Sequence, residues 1–246
     1  MTDLIFLHGV GLDHQIWGPL RAAMPEVTTH AYDLRGHGDG PDWQGPASLE
    51  QFVADLWDYA DAIGLDNFAL CGFSLGAMIA QWAVLSKPAR ISHLVLLNGV
   101  YQRSDDQMAA VQARFKKAEK TGPQIMIDAA LKRWFPPDFI ALHPEYLTQV
   151  RTRLETNDRE QFMHSYRLFA HEGAQIAGRL GEIEQPTLVV TGALDTGSTP
   201  AMSTQMAVEI RNAKAIIFND AAHMLPLQKP VELARLIKTV LQKEIT

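Results

Sequence analysis

The stretch CGFSLGAMIAQW, from Cys71 to Trp82, limits what the 246-residue chain can fold into more than any other segment does. A lone serine stands between two glycines where the apolar run FALC gives way to the apolar helical pattern LGAMIAQWAVLS. Serine competes for backbone groups inside a helix and glycine costs backbone entropy there, so local stability does not account for the choice. A G-x-S-x-G turn between a buried strand and a buried helix does. The glycines clear room for a sharp turn, and the strained turn aims the Ser74 hydroxyl into a site. The helix that follows begins with unpaired N–H groups at the positive end of its dipole, which suits a developing oxyanion.

Five short apolar runs, LIFL, FALCG, HLVLLN, TLVVTG and AIIF, are bounded by turn or polar residues and do not alternate cleanly. Strands buried on both faces of a parallel sheet have this pattern. Between them lie helical patterns such as SLEQFVADLWDYADAIG, with Ser48 as its cap and Phe52, Leu56, Tyr59 and Ile63 at helical spacing. Strand and helix alternate, so the class is α/β. From about Arg103 to Arg179 the strand-like runs stop. Aromatic-rich helical patterns there are broken at KTGP, FPPDF, LHPEY and ETND, which reads as several short helices forming a lid or cap. The expected division is a core of residues 1–102 and 180–246 with a helical cap, 103–179, inserted between two sheet strands.

Two further residues follow the serine in the chain. Asp195 lies just beyond the run TLVVTG, and His223 just beyond AIIF. Loops at the carboxyl ends of successive parallel strands would bring both to Ser74. His223 would then take the serine proton and Asp195 would orient and stabilise the imidazole. Near the start, HGVGLD forms a glycine-rich turn that can carry a backbone N–H toward the serine. The oxyanion donors are therefore assigned to the N–H groups of Val10 and Leu75. His8 and His37 read as residues that order their loops, Cys71 as a small core side chain, and Asp220 as a local turn residue rather than the partner of His223.

The pieces HGVG, DLRGHG, GFSLG, GALD and AAHMLPLQKP, in this order, resemble the α/β-hydrolase superfamily over nearly the whole chain. The RWF of the cap, the GSTPAMS after the acid loop and the short length are most similar to the 3-oxoadipate enol-lactonases and related small carboxylesterases. The resemblance implies an α/β-hydrolase fold, but the chain reaches its HG strand almost at once. About six parallel strands are therefore expected, without the usual leading strands, and the edge this exposes is one that a partner subunit could cover.

The implied activity is hydrolysis of a small carboxylic ester or lactone through an acyl-enzyme on Ser74, Asp195 and His223, without metal or organic cofactor. An amidase, a C–C hydrolase, an acyltransferase or a weakly hydrolytic ligand receptor would carry the same residues, so substrate identity is not legible in them. In the cap, Arg133 could hold a substrate carboxylate beside an aromatic wall of Trp134, with Phe73 also assigned to the substrate. A net charge of −6 argues against nucleic acid or an anionic membrane as the main partner. The start MTDLIFLHGVG has no basic leader and too short an apolar run for a signal sequence. The expectation is a cytoplasmic monomer or homodimer acting on a small molecule.

Overall fold

Along β1, Leu4–Leu7, Leu4 and Phe6 join one hydrophobic cluster while Ile5 and Leu7 join another, and all four side chains are fully buried. Successive side chains in a strand point to opposite faces, so an uninterrupted apolar run is what a sheet covered on both sides requires. The computed structural model describes residues 2–171, 176 and 178–242. Among these, β1 is joined by β2 (Thr29–Ala31), β3 (Phe68–Phe73), β4 (Ile91–Leu97), β5 (Thr187–Gly192) and β6 (Ala213–Phe218). They form one sheet in the order β2-β1-β3-β4-β5-β6, and every neighbouring pair is parallel.

The six parallel strands match the expectation. The sixth strand is the short β2, whose sequence THA carries no apolar run and whose residues are only half-buried. It flanks β1, so β1 is not the exposed edge; β2 and β6 are. Short, half-polar edge strands offer little template for pairing with another chain.

Three helices, α1 (Gly18–Ala22), α2 (Leu49–Ala62) and α3 (Leu75–Ser86), lie in the first half of the core. Ser48 caps α2 by accepting the Gln51 N–H. Among the described residues, five α-helices separate β4 from β5, namely α4 (Asp105–Thr121), α5 (Ile127–Trp134), α6 (Pro137–Leu142), α7 (Pro144–Glu155) and α8 (Arg159–His171). Their breaks fall at the four turn signals read from the sequence. Helices α9 (Pro200–Glu209), α10 (Leu225–Gln228) and α11 (Pro230–Leu241) complete the chain. The cluster around Ile5 and Leu7 takes in α2, α3 and α9, and that around Leu4 and Phe6 takes in α1, α10 and α11.

Within the second cluster Phe6 stacks on Trp17 at 4.5 Å between centroids, and Trp17 meets Phe73 edge-on. This fully buried trio joins the first strand to the strand that carries Ser74. Phe6→Ala should lower unfolding free energy in urea by about 3–5 kcal/mol, the cost of a large aromatic cavity. A loss below about 1 kcal/mol would mean that the site refills.

Candidate active site

Ser74 connects β3 to α3 with φ 54° and ψ −111°, a left-handed conformation that costs a non-glycine residue on the order of 1–3 kcal/mol. The glycines on either side explain how the turn closes. A Cβ on Gly72 would stand 2.2 Å from the Gly76 carbonyl oxygen, and one on Gly76 would stand 2.0 Å from that of Leu7. The Gly76 N–H donates to His8 O at 3.1 Å, which ties the start of α3 to the end of β1. The Ser74 hydroxyl makes no capping bond to its own helix.

Asp195 is 4% exposed and His223 7% exposed. His223 Nδ1 lies 2.6 Å from Asp195 Oδ2. A carboxylate accepts, so Nδ1 carries the proton and Nε2 of the neutral ring is left with its lone pair. Burial alone would push the Asp195 carboxyl up. The charge and hydrogen bond of His223, the Ser198 N–H and Asn98 outweigh it, and the carboxyl lies below its ordinary range. Its Oδ1 accepts from the Gly197 and Ser198 N–H groups at 2.9 and 3.0 Å. Asp220, in contrast, is exposed and pairs with Lys229 at 2.6 Å.

Asn98, at the end of β4, donates through Nδ2 to Asp195 Oδ2 at 2.8 Å and lies near Thr191 Oγ1 and Ala222 O as well. Its φ of 46° is one that asparagine tolerates better than most residues. The sequence marks this position only as one that is not an acid. The histidine loop is held by Gln228, which accepts the Ala222 N–H and donates to Trp134 O.

At the HG turn, neither the Val10 nor the Leu75 N–H has an acceptor among the described residues. His8 is fully buried. Its Nε2 accepts the Leu34 N–H at 2.9 Å, which leaves Nδ1 to donate to Gly9 O. Protonating the ring would break the first of these bonds. Burial, reinforced by His37, lowers its pKa to about 3. Burial also lowers His37 to about 4; its Nδ1 donates to Arg35 O and its Nε2 is unpartnered. Asn157, just beyond α7, reaches across and donates to Gly11 O at 2.8 Å, fastening the cap to the turn.

Ser74, Asp195, His223 and Val10 line one cavity of about 1170 Å³, open mouth included, roofed by three helical stripes. Gln107, Ala110, Val111 and Arg114 come from α4, Ile127, Ala130, Arg133 and Trp134 from α5, and Phe162, Tyr166 and Phe169 from α8. Spacings of three, four and seven residues put each set on one helix face. Arg133 and Trp134 thus sit where the sequence reading put them, and the Trp134 ring lies 5.6 Å from that of His223. Phe73 does not line the cavity. It is fully buried beneath, 5.0 Å from the His223 ring, because its place in β3 turns it into the sheet core. Cys71 is likewise buried in β3, and burial raises its thiol pKa well above the ordinary value. Arg103 and Arg114, not singled out in the sequence, also line the cavity; the legible signal was Arg114 sharing a helix face with apolar Val111. No group of three or more His, Cys, Asp or Glu side chains among the described residues could hold a metal ion, and no described helix is long and apolar enough to cross a membrane.

The model of the alpha/beta hydrolase family matches residues 4–236. The chain belongs to that family. It is an enzyme of the α/β-hydrolase superfamily, a hydrolase. Among curated relatives, it is 30% identical over 232 residues to an (E)-2-((N-methylformamido)methylene)succinate hydrolase of Acinetobacter baylyi, covering 92% of this chain and 85% of the relative. It is 25% identical to 3-oxoadipate enol-lactonase 2 of the same organism, covering 98% and 88%. In fold it is similar to the crystal structure of the enol-lactonase from Burkholderia xenovorans LB400. That match has a TM-score of 0.88 at 24% identity and covers 98% of this chain and 92% of the other.

The two buried histidines make stability depend on pH. Folded, they titrate at about 3 and about 4, whereas an unfolded imidazole titrates near 6.5. Between those values the unfolded chain binds more protons, so stability falls as pH drops below about 6.5. The slope reaches at most about 1.4 kcal/mol per pH unit for each ring. The urea midpoint should therefore decrease from pH 7.5 to pH 5. An unchanged midpoint would mean that both rings take up protons inside the fold.

Proposed function

We propose that the chain is a serine hydrolase that cleaves a small carboxylic ester or lactone through an acyl-enzyme, with Ser74 as nucleophile. The observation that carries this reading is the Asp195–His223 hydrogen bond in a cavity also lined by a serine held in a strained turn. His223 Nε2 takes the Ser74 proton as Oγ attacks the acyl carbon, and Asp195 stabilises the imidazolium. The Val10 and Leu75 N–H groups, which lack acceptors among the described residues, receive the oxyanion. His223 returns the proton to the leaving oxygen, then activates the water that releases the acid. In a lactone the leaving oxygen belongs to the same molecule, and ring opening yields a single product.

Similarity to the enol-lactonases supports a lactone bearing a carboxylate, with Arg133 as its partner and Trp134 as the wall beside it. A second reading is hydrolysis of an amide-type bond, favoured by the 30% identical relative, whose name specifies an N-methylformamido compound. The same residues would serve it, with nitrogen as the leaving atom.

An alkyl fluorophosphonate should add one phosphonyl group, mapping to the Ser74 peptide; a label on Cys71 would sink the assignment. Asp195→Asn should cut kcat by about 10⁴-fold with the fold intact, the magnitude for this change in serine-protease triads. Asp220→Asn should leave kcat unchanged, and the reverse pattern would move the acid role to Asp220.

Arg133→Ala should cost about 1.5–3 kcal/mol in kcat/KM toward an acidic lactone, the range for a hydrogen bond to a charged group, and much less toward a neutral ester. Equal losses on the two substrates would remove carboxylate recognition from Arg133. Turnover of small esters, lactones and N-alkyl formamides, each compared with Ser74→Ala, decides between the two readings.

A further inference from the structure

Three guanidinium groups, those of Arg103, Arg114 and Arg133, line the cavity above Ser74. Among the described residues, none of them lies within ion-pairing distance of a carboxylate. Elsewhere Arg35, Arg90, Arg151, Arg153, Arg167 and Arg179 each have one. Among the described residues, Asp195 is the only acidic one lining the cavity, and it is engaged with His223. The concentration is local, since the chain as a whole carries a net charge of −6. Arg103 and Arg114 are half-buried and Arg133 is more exposed; three like charges gathered around one cavity repel, so an arrangement of this kind is suited to an anion brought by the ligand.

The three are not equivalent. Arg103 is fastened from below, with Nη1 donating to Phe169 O at 3.0 Å and its guanidinium 4.6 Å above the Phe169 ring. Arg114 makes no hydrogen bond to a described residue, so its fork of donors is available. Arg133 Nη1 donates to Ala129 O in its own helix, and its charge is within reach of Asp195 at the reacting end. Burial and the nearby Arg114 lower the basicity of both Arg103, to about 10, and Arg133. A guanidinium keeps its charge at neutral pH.

We propose that the cavity takes a substrate carrying two carboxylates, one held by Arg133 near the reacting acyl group and the other by Arg103 and Arg114. Arg103 supplies a fixed, preoriented charge and Arg114 a movable fork. Two parallel hydrogen bonds from a guanidinium to a carboxylate give direction as well as strength. The pair would align the distal acid, so that the scissile bond is presented to Ser74 in one orientation. The inference rests on the hydrolase reading of the site, but binding can be tested apart from turnover.

The test is calorimetric binding to the Ser74→Ala protein. Succinate, glutarate and adipate, which bracket the unknown span between the two charges, are compared with butyrate, pentanoate and hexanoate. At least one diacid should bind ten-fold or more tightly than the monoacid of equal length. Arg114→Gln should shrink that ratio about ten-fold, whereas Lys214→Gln, an exposed charge on β6, should not change it. Arg103→Gln is made in parallel, but it removes packing on Phe169, so Arg114→Gln decides if that variant melts early. Equal affinity for diacids and monoacids, or a ratio untouched by Arg114→Gln, overturns the proposal. In wild-type protein, turnover of neutral esters without any diacid preference would fell this inference and leave the hydrolase reading standing. A diacid preference in a protein without Ser74-dependent turnover would do the reverse.

Discussion

The contact on which the rest of the site depends is between backbones. Helix α3 begins so close to β1 and β3 that Gly72 and Gly76 have no room for a Cβ, and the Gly76 N–H closes onto the carbonyl of His8. That approach forces Ser74 into its left-handed conformation and fixes the distance between the serine and the HG turn. The strain is held by what surrounds it: α3 is buried on nearly every side, and β3 is fully buried. A surface helix could relax away from such a turn. This one cannot without opening the main core, which is why a costly local geometry persists at the centre of the molecule.

The supports of the other site residues also reach across chain segments far apart in sequence. Asn98 joins the end of β4 to Asp195, and Trp134, in the cap, presents its carbonyl to Gln228 in the histidine loop while its ring lies beside the imidazole. Asn157 ties the cap to the turn that carries Val10. The cap therefore does more than cover the cavity, since it fixes both the histidine loop and the HG turn. Loss of its position would disturb His223 and the turn that carries Val10 together.

Much of this was legible in the chain. The parallel sheet follows from runs with no alternation, the elbow from G-F-S-L-G between a strand and a helix, and the cap breaks from proline and glycine. What escaped had physical reasons. Strand β2 is three half-buried residues, and THA has no periodic signal because it packs at an edge. Phe73, assigned to the substrate, is the last residue of β3. In a strand adjacent residues face opposite ways, and its ring belongs to the core under His223. Arg103, in the loop before α4, and Arg114, on that helix, were missed because an arginine in either setting normally faces water. Only the tertiary placement of α4 shows that the face shared by Gln107, Ala110, Val111 and Arg114 is turned inward.

That inward face separates two layers of the molecule by chemistry. The layer below the cavity holds its ionisable groups to fixed states: His8 and His37 are neutral because burial denies a charge on either ring its solvation, and Asp195 is ionised because three donors and a partner ring hold it so. Their side chains answer to one another and leave little freedom for substitution. The layer above uses helices whose inward faces are largely apolar, with arginines on α4 and α5, and apart from Trp134 these side chains line the cavity rather than support His223. A change at Arg114 or Arg133 would reshape the cavity without moving Ser74, whereas a change at Asn98 would reach Asp195 directly. On the proposed reading, the reaction is tied to the sheet and the choice of substrate to the cap. The two meet at Trp134, where one residue is at once a wall of the cavity and a support of the histidine.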